Sequence, residues 1–210
     1  MTLRSALRIF VAGHRGMVGS AIVRALEQNN QSGVILTANR SELDLRDQTA
    51  VQRFFKNEKP DHVYLAAATV GGILLNSTRP ADFLYDNLLI ESNILHQSFL
   101  HGVKRLLFLG SSCIYPKFAQ QPIIEESLLT GPLESTNEAY AIAKISGLMM
   151  CKAYSIQHGC DFRSLMPTNL YGPNDNFDPA SSHVIPGLIG KMVRAKESGQ
   201  STLALWGSGQ

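Results

Sequence analysis

The residues Tyr140 and Lys144 stand four positions apart in a stretch with helical hydrophobic periodicity. On a helix, side chains four apart lie on the same face, one turn above the other. A tyrosine phenol can donate a proton to a carbonyl oxygen, but its pKa in water is about 10, so it needs a nearby ammonium to act near neutrality. The spacing indicates such a pair, and Lys144 could also hold the ribose of a nicotinamide cofactor. Surface helices carry the same spacing by chance, so the motif needs partners elsewhere.

Ser111 supplies the expected third group of this chemistry. It follows an apolar run at 105–109 with the composition of a strand, within the segment Gly-Ser-Ser-Cys-Ile-Tyr-Pro at 110–116. A serine hydroxyl at the end of a strand can donate a hydrogen bond to the carbonyl oxygen that receives the tyrosine proton. Ser111, Tyr140 and Lys144 together indicate the reduction of a carbonyl group.

A turn that could bind the cofactor of this reduction lies near the N-terminus. The apolar run 8–12 leads into Gly13, Gly16 and Gly19, which open a segment with helical periodicity. A first glycine permits a tight turn, a second lets the backbone approach a pyrophosphate, and a third lets the helix pack closely on the strand. The helix N-terminus adds N–H donors and the positive end of its dipole. The turn therefore predicts a bound dinucleotide, although ordinary strand-to-helix loops can carry the same spacing.

Positive charge near this turn indicates which dinucleotide binds. NAD-specific sites carry Asp or Glu at the end of the second strand, whereas this chain has Asn-Arg-Ser at 39–41. Arg40, together with Arg15 in the glycine turn, offers planar donors to a 2′-phosphate, which predicts NADP over NAD. Both arginines could also be solvated surface residues.

Two further segments could contact the dinucleotide. Asp44 and Leu45 follow the second strand and could hold the edge of the adenine. Ala67 lies in a run of three alanines at the tip of the third strand, where small side chains leave room for a cofactor. Alanine runs are also a common result of close packing, so only their position at a strand end favours the cofactor.

These residues need a scaffold that brings strand ends together. Short apolar runs alternate with segments of helical periodicity, which predicts an α/β fold with a doubly wound parallel sheet, the NAD(P)-binding Rossmann fold. A further apolar strand is expected before the Gly-Ser-Gly at 207–209. The predicted strands are 8–12, 34–38, 62–66, 105–109 and 161–167, and the predicted helices are 17–28, 48–56, 80–101, 138–158 and 184–197.

Composition narrows the function classes. The 210 residues carry a net charge of +2 with dispersed basic residues, which argues against nucleic acid as the main ligand. No stretch reaches the roughly 18 apolar residues of a membrane span. Cys113, Cys151 and Cys160 are odd in number and lack metal-ligand spacing, so we expect no metal site and a reducing, cytoplasmic location.

Taken together, these motifs resemble the extended short-chain dehydrogenase/reductases, and within them the GDP-L-fucose synthases. The glycine spacing at 13–19 is the form found in that superfamily, and the resemblance covers essentially the whole chain. The most specific matches are Gly-His-Arg-Gly-Met-Val-Gly-Ser at 13–20, Ala-Ala-Ala-Thr-Val-Gly-Gly-Ile at 66–73, Gly-Ser-Ser-Cys-Ile-Tyr-Pro at 110–116, Pro-Thr-Asn-Leu-Tyr-Gly-Pro-Asn-Asp-Asn-Phe at 167–177 and Ser-Ser-His-Val-Ile-Pro at 181–186.

The resemblance implies two reactions in one pocket, with GDP-4-keto-6-deoxy-D-mannose as substrate and NADP(H) as cofactor. The family uses a cysteine and a histidine as the acid/base pair that inverts C3 and C5 of the 4-keto sugar, and these positions are Cys113 and His183 here. NADPH then reduces C4 while Tyr140 supplies the proton. From the residues alone, Cys113 could instead be a small core residue and His183 a helix cap.

The resemblance also implies further contacts to the cofactor and to the substrate. A lysine can pair with a diphosphate, and an indole can cover the apolar face of a sugar or base. Helices such as 80–101 and 138–158 commonly form a four-helix interface in this superfamily, so we expect a homodimer. The implied cofactor contacts are His14, Met17 and Val18 in the glycine turn, Lys144, His183, and Pro167, Thr168, Asn169 and Leu170 near the nicotinamide; the implied substrate contacts are Lys191 and Trp206.

The predicted domains are a Rossmann domain over 1–175 and part of a substrate-binding lobe over 176–210. Family members continue beyond the Trp-Gly-Ser-Gly turn at 206–209, so the resemblance implies an incomplete lobe and puts the affinity for the GDP-sugar in question. Three hypotheses stay open. They are a GDP-L-fucose synthase, a related reductase, epimerase or dehydratase for another nucleotide sugar, and a cofactor-binding fragment without turnover.

Overall fold

The chain folds around one parallel sheet. The computed structural model describes residues 6–29, 33–178 and 181–205. Within these ranges five strands run parallel in the order β2-β1-β3-β4-β5. They are β1 (Leu7–Ala12), β2 (Gly33–Leu36), β3 (His62–Leu65), β4 (Arg105–Leu109) and β5 (Phe162–Leu165). The predicted doubly wound sheet is confirmed, and its order reverses at β1, where such sheets bind ligands beyond the carboxyl ends of their strands.

Helices cover both faces of the sheet. A segment of only six residues after Gly72 carries too little periodicity to be predicted, and it forms α3. The bounds of the predicted helices agree with the structure to within two residues. In the described ranges the helices are α1 (Met17–Gln28), α2 (Gln48–Glu58), α3 (Ile73–Thr78), α4 (Pro80–Leu100), α5 (Glu138–His158) and α6 (Val184–Glu197), with 3₁₀ turns at Ser112–Ile114 and Glu125–Ser127.

β1 divides the core into two parts. Its side chains alternate, so Ile9 and Val11 point to one face of the sheet while Phe10 and Ala12 point to the other. Ile9 and Val11 pack with Leu26 of α1, whereas Phe10 and Ala12 belong to a larger cluster that includes residues of α2, α4 and α5. Because both faces are covered, β1 is apolar and buried from Ile9 to Ala12 instead of alternating with polar residues.

α4 and α5 are the longest helices and pack side by side. α4 is unusual because it buries polar side chains, among them Asn87, Glu91 and Gln97. Buried polar groups need partners, and two of these side chains tie α4 to the rest of the fold: Asn87 through hydrogen bonds with the Thr69 backbone and Glu91 through an ion pair with Lys144. In the described part of the chain, no helix combines the length and the apolarity that crossing a membrane requires.

Three strands are shorter than predicted, and β3 differs least, since it ends at residue 65 instead of 66. β2 ends at residue 36 instead of 38, and β5 covers 162–165 instead of 161–167. β2 is the edge strand, and its pairing with β1 stops where Phe10 faces Leu36. Beyond β5, Pro167 has no N–H to donate to a neighbouring strand.

After β5 the chain passes along the carboxyl edge of the sheet before α6 begins. Asn174 donates to the Ser20 hydroxyl at 3.0 Å, and the Gly72 N–H donates to the Ser181 carbonyl at 3.1 Å. These bonds hold the segment against α1 and the loop after β3. The prediction of a further strand before the Gly-Ser-Gly at 207–209 is wrong for the described residues 202–205. A strand needs a hydrogen-bonded neighbour, and no described strand pairs with these residues. The domain boundary at 175 stays a prediction.

Candidate active site

The glycine turn packs on the tip of β3 through close backbone contact. Gly13 has a φ of +86°, and a Cβ there would lie 2.7 Å from the Ala67 nitrogen. A Cβ at Gly19 would fall on the Gly13 carbonyl group. Glycine is therefore required at positions 13 and 19 by close packing against the backbone of the same chain, independently of any ligand. Gly16 differs, because its Cβ would meet only the Gly13 oxygen at 3.5 Å, an ordinary contact. The space in front of Gly16 is open to a ligand.

α1 begins directly after this turn with a free N-terminus. Among the described residues, no side chain caps it at Gly16. The first N–H groups of the helix, at Met17 and Val18, therefore keep their capacity to bind an anion. The turn also carries the half-buried His14 and the exposed Arg15. Uncapped N–H groups beside a basic side chain suit a pyrophosphate.

Arg40 lies in a tight loop after β2. The Asn39 side-chain oxygen accepts hydrogen bonds from the N–H groups of Ser41 at 3.0 Å and Glu42 at 3.2 Å. This turn leaves Arg40 exposed. In the part of the chain that the structure describes, neither Arg40 nor Arg15 has a hydrogen bond or ion pair. Both guanidinium groups are thus available to a phosphate.

A network of ion pairs around Arg46 holds the loop between Arg40 and α2. Arg46 Nη2 lies 2.7 Å from Asp44 Oδ2, and Arg46 Nη1 lies 3.0 Å from Asp86 Oδ1 on α4. The Thr69 hydroxyl donates to Asp86 at 3.2 Å, so the network reaches the loop after β3. Hydrogen bonds from Arg46 lower the pKa of Asp44 to about 2. The Asp44 carboxylate is already engaged by Arg46, and the adenine contact expected for Asp44 and Leu45 stays a prediction.

Tyr140 lies in the first turn of α5 and is half-buried. The Phe83 ring packs against it edge-on, with centroids 6.4 Å apart. Desolvation raises the pKa of Tyr140, negative charge at Cys113 and Glu91 adds to the rise, and a hydrogen bond with Ser111 opposes it. The phenol therefore keeps its proton at neutral pH, as a proton donor must. The 3₁₀ turn at Ser112–Ile114, directly after Ser111, packs against α5.

Lys144 lies one turn further along α5, as predicted, but it is bound to other groups. Its Nζ donates to the Leu109 carbonyl at 3.0 Å and lies 3.0 Å from Glu91 Oε1. The same Nζ is 5.8 Å from the centroid of the Tyr140 ring. The expected lowering of the Tyr140 pKa by the ammonium is absent, because desolvation prevails and the Glu91 carboxylate offsets the charge of Lys144.

Glu91 is a residue that the sequence analysis missed. The Glu91 side chain is 1% exposed and that of Lys144 is 3% exposed. A Cβ at Gly147 would lie 2.6 Å from the Glu91 carboxylate, so glycine at this point of α5 gives the carboxylate its space. Burial raises the pKa of Glu91, and Lys144 opposes the rise. The available signal was one acidic residue inside the largely apolar run 88–95.

Cys113 lies in the 3₁₀ turn after β4, with its thiol at the N-terminus of α5. Asn137, the N-cap residue of α5, donates its side-chain N–H to the Cys113 sulfur at 3.3 Å. The Ser111 hydroxyl oxygen accepts a hydrogen bond from the Cys113 N–H at 3.3 Å, which holds the turn. Asn137 was also missed, although an Asn three residues before Tyr140 is a typical helix start.

His183 is the N-cap residue of α6, but its side chain makes no cap hydrogen bond. It is exposed. Among the described residues it has no hydrogen bond or ion pair, so no such contact joins it to Cys113. The neighbouring Ser182 carbonyl would lie 2.9 Å from a Cβ on Gly72. This contact keeps His183 near the loop after β3, and its pairing with Cys113 stays a prediction.

The other predicted contacts follow β5 or lie on α6. In the stretch 167–170, which begins two residues after β5, Pro167 is half-buried and the other three residues are exposed. Lys191 is half-buried on α6. Trp206 lies outside the described residues. The carboxyl edge of the sheet thus combines an anion-binding helix N-terminus with a serine, a phenol and a thiol that can exchange protons with a carbonyl compound.

Comparison with known proteins places this arrangement in a family context. The model of the NAD dependent epimerase/dehydratase family matches residues 9–210. A curated GDP-L-fucose synthase from Escherichia coli K12 is 57% identical over 98% of this chain and 64% of its own length. The chain spans less than two thirds of the curated relatives that it matches at 57–58% identity.

Two solved structures are similar in fold and sequence. A GDP-L-fucose synthetase from Naegleria fowleri, bound to NADP, superposes with a TM-score of 0.89 at 34% identity and covers 100% of this chain and 68% of its own. A GDP-6-OMe-4-keto-L-xylo-heptose reductase from Campylobacter jejuni has a TM-score of 0.89 at 40% identity, covering 96% of this chain and 57% of its own.

Proposed function

The chain belongs to the NAD dependent epimerase/dehydratase family, and on this premise we propose that it carries the cofactor-binding and catalytic residues of a GDP-L-fucose synthase. The proposed reaction inverts C3 and C5 of GDP-4-keto-6-deoxy-D-mannose and then reduces C4 with NADPH to form GDP-L-fucose. Curated relatives of that name, similar to nearly the whole chain, support this proposal.

The observation that carries the proposal is the position of the Cys113 thiol. Reduction of a carbonyl group needs a proton donor and a hydride source, for which Ser111, Tyr140 and Lys144 would suffice. The thiol adds a group that can exchange protons with carbon, and it lies against the same helix start as Tyr140 through its bond to Asn137. A reductase that also inverts stereocentres requires such a second acid/base group.

The glycine turn fits NADP(H). The uncapped start of α1 and the open space at Gly16 suit the pyrophosphate. Arg15 and Arg40 would hold the 2′-phosphate, and Lys144 would hold the nicotinamide ribose. When bound, NADPH supplies the hydride for C4. The proposed contacts also include His14, Met17, Val18, Asp44, Leu45, Ala67, His183 and residues 167–170.

Inversion precedes reduction in the proposed mechanism. The 4-keto group makes the C–H bonds at C3 and C5 acidic, since loss of either proton gives an enolate. Cys113 and His183 would remove and return these protons from opposite faces of the ring, which inverts each carbon. Ser111 and Tyr140 would donate hydrogen bonds to the enolate oxygen. Once C4 has received the hydride, the Tyr140 hydroxyl gives its proton to the C4 oxygen.

The proposed setting follows from the same residues. Lys191 and Trp206 would contact the GDP-sugar. The described cysteines are free thiols, and Cys113 must stay reduced to exchange protons, which favours the cytoplasm. The paired helices α4 and α5 are the proposed surface of a homodimer, by analogy with the superfamily. Sedimentation of the chain would test this assembly.

Turnover in heavy water tests the proposed function. The chain is incubated with NADPH and GDP-4-keto-6-deoxy-D-mannose, and the product is analysed by NMR, with Tyr140→Phe as the control without reduction. GDP-L-fucose with deuterium at C3 and C5 is the expected product. A product reduced at C4 without deuterium at either carbon would identify a simple C4 reductase instead.

A second candidate is a C4 reductase for another GDP-sugar. The Campylobacter jejuni heptose reductase, at 40% identity, favours it. The Cys113 thiol counts against it, because simple reduction leaves that group without a task. A third candidate, a cofactor-binding fragment without turnover, predicts NADPH binding but no product with any GDP-4-keto sugar.

A further inference from the structure

The ion pair between Glu91 and Lys144 joins the two longest helices next to the candidate catalytic residues. Glu91 Oε1 and Lys144 Nζ lie 3.0 Å apart, and the two side chains are 1% and 3% exposed. Burying two charges costs their hydration, so a pair of apolar residues of similar volume often stabilises a fold as well as a buried ion pair does. The pair therefore calls for a role beyond stability.

The surroundings hold the Lys144 ammonium in one place. Its Nζ donates to the carbonyl of Leu109, the last residue of β4, at 3.0 Å. It also lies 4.7 Å from the centroid of the Phe108 ring. Glycine at 147 admits the Glu91 carboxylate, which a Cβ at that position would approach to 2.6 Å. The ammonium is thus held by α4 and by the end of the strand that leads to Ser111.

An ammonium has three N–H groups. The Leu109 carbonyl accepts a hydrogen bond from one of them, the Glu91 carboxylate forms an ion pair with the ammonium, and no further hydrogen-bond or ion-pair partner of Lys144 is present among the described residues. At least one N–H is therefore left for a ligand. A free lysine side chain samples many rotamers, and the contact with Glu91 orders it before any ligand binds.

We propose that Glu91 is a positioning residue, whose carboxylate holds the Lys144 ammonium at the end of β4 so that its remaining N–H is ready for the cofactor ribose. This inference rests on the proposed function, in which Lys144 binds that ribose. Glu91 itself touches neither substrate nor cofactor. It acts through Lys144, so its effect must disappear when Lys144 is removed.

NADPH affinity of the full chain, measured by fluorescence titration, tests this dependence. Glu91→Gln keeps the shape of the side chain but removes the charge, and we expect the Kd for NADPH to rise about tenfold. Lys144→Met should weaken binding to a similar extent. The double variant, Glu91→Leu with Lys144→Met, removes both charges and should fold because no unpaired charge stays buried. Its affinity for NADPH should equal that of Lys144→Met alone. A further loss in the double variant would contradict the proposal.

Amine labelling gives a second measurement that needs no cofactor. Lys144 and the exposed Lys152 lie on the same helix, so reductive methylation of Lys144 can be normalised to Lys152 by mass spectrometry. Glu91→Gln should raise this ratio about tenfold or more, because the ammonium loses the carboxylate that holds it. Gln97→Leu is the control, since it replaces another buried polar residue of α4, 2% exposed, and should leave both readouts unchanged.

The two readouts separate this inference from the proposed function. If the wild-type chain fails to bind NADPH, the proposed function is wrong, and the labelling ratio still decides whether Glu91 positions Lys144. A folded Glu91→Gln variant with wild-type labelling overturns the inference. The same labelling increase in Gln97→Leu would also overturn it, because general loosening of α4 would then explain the effect.

Discussion

The side-chain amide of Asn137 donates a hydrogen bond to the sulfur of Cys113 over 3.3 Å. Asn137 begins the helix that carries Tyr140, so this bond ties the candidate group for proton exchange at carbon to the candidate proton donor for reduction. An N–H aimed at sulfur stabilises the thiolate that forms when Cys113 acts as a base. The groups proposed for two chemically distinct steps therefore meet at one helix start.

The Asn137→Ser substitution removes this donor. We expect deuterium exchange at C3 and C5 of the GDP-4-keto sugar to slow about tenfold, because the thiolate loses a hydrogen bond. The fold should be retained, since the Asn137 side chain makes no cap bond in α5. Exchange is followed by NMR, with the exposed neighbour Ser135→Ala as the control. Unchanged exchange would show that the bond has no part in proton transfer.

The Cys113→Ser substitution should impair inversion before reduction. A hydroxyl is a far weaker base than a thiolate, so we expect incorporation of solvent deuterium to fall about 100-fold or more. NADPH affinity should match that of the wild type. Cys160→Ser is the matched control, because Cys160 is a half-buried thiol that packs against the core cluster. Equal losses in the two variants would point to damage of the fold.

The Tyr140→Phe substitution keeps the aromatic ring and its contact with Phe83 but removes the hydroxyl. We expect the rate of NADPH oxidation to fall by about 10²–10⁴ while NADPH still binds, because the C4 oxygen loses its proton donor. Absorbance of NADPH reports the reduction, and fluorescence titration reports binding. Tyr85→Phe, at an exposed position of α4, should behave as the wild type. Reduction that survives in Tyr140→Phe would refute the assigned role.

The Arg40→Ser substitution tests the choice of cofactor. Arg40 is exposed, and no described residue pairs with it, so its loss should leave stability unchanged. We expect the Kd for NADPH to rise about tenfold through loss of a charge-assisted contact to the 2′-phosphate, with the Kd for NADH unaffected. Arg53→Ser on the exposed side of α2 is the control. Equal weakening of NADPH and NADH would contradict recognition of the 2′-phosphate.

Two glycines of the turn should respond differently to alanine. A Cβ at Gly16 meets no close atom, so Gly16→Ala should keep the free energy of unfolding while weakening NADPH binding about tenfold or more, because the methyl group fills the space for the pyrophosphate. Gly19→Ala should lower the free energy of unfolding by about 1–3 kcal/mol, since its Cβ falls on the Gly13 carbonyl. Thermal unfolding and fluorescence titration separate these outcomes, and unchanged NADPH affinity in Gly16→Ala would contradict the proposed site.

Much of the fold could be predicted from short stretches of the chain. The helix at 138–158 has the bounds that its periodicity predicted, and Gly159, whose φ is +68°, caps its C-terminus. The turn at Gly13 and the placement of Tyr140 and Lys144 one turn apart on one helix follow from spacing alone. Such features depend on residues close in sequence, which share one backbone geometry.

The electrostatics of the site could not be predicted in this way. The spacing of Tyr140 and Lys144 predicted a lowered phenol pKa, yet desolvation and the charge of Glu91 raise it. Asn137 and Cys113 are 24 positions apart, and no local pattern relates them. Each of these effects depends on which surfaces meet.

The sequence by itself determined the parallel sheet, the glycine turn and the types of group available for catalysis, because hydrophobic period and glycine spacing act over a few residues. Only the tertiary structure decided that Lys144 pairs with Glu91 and that Asn137 binds Cys113. These contacts arise when α4 packs on α5 and when the end of β4 meets the start of α5. Burial between distant segments sets the charge and orientation of such groups, and no local pattern encodes it.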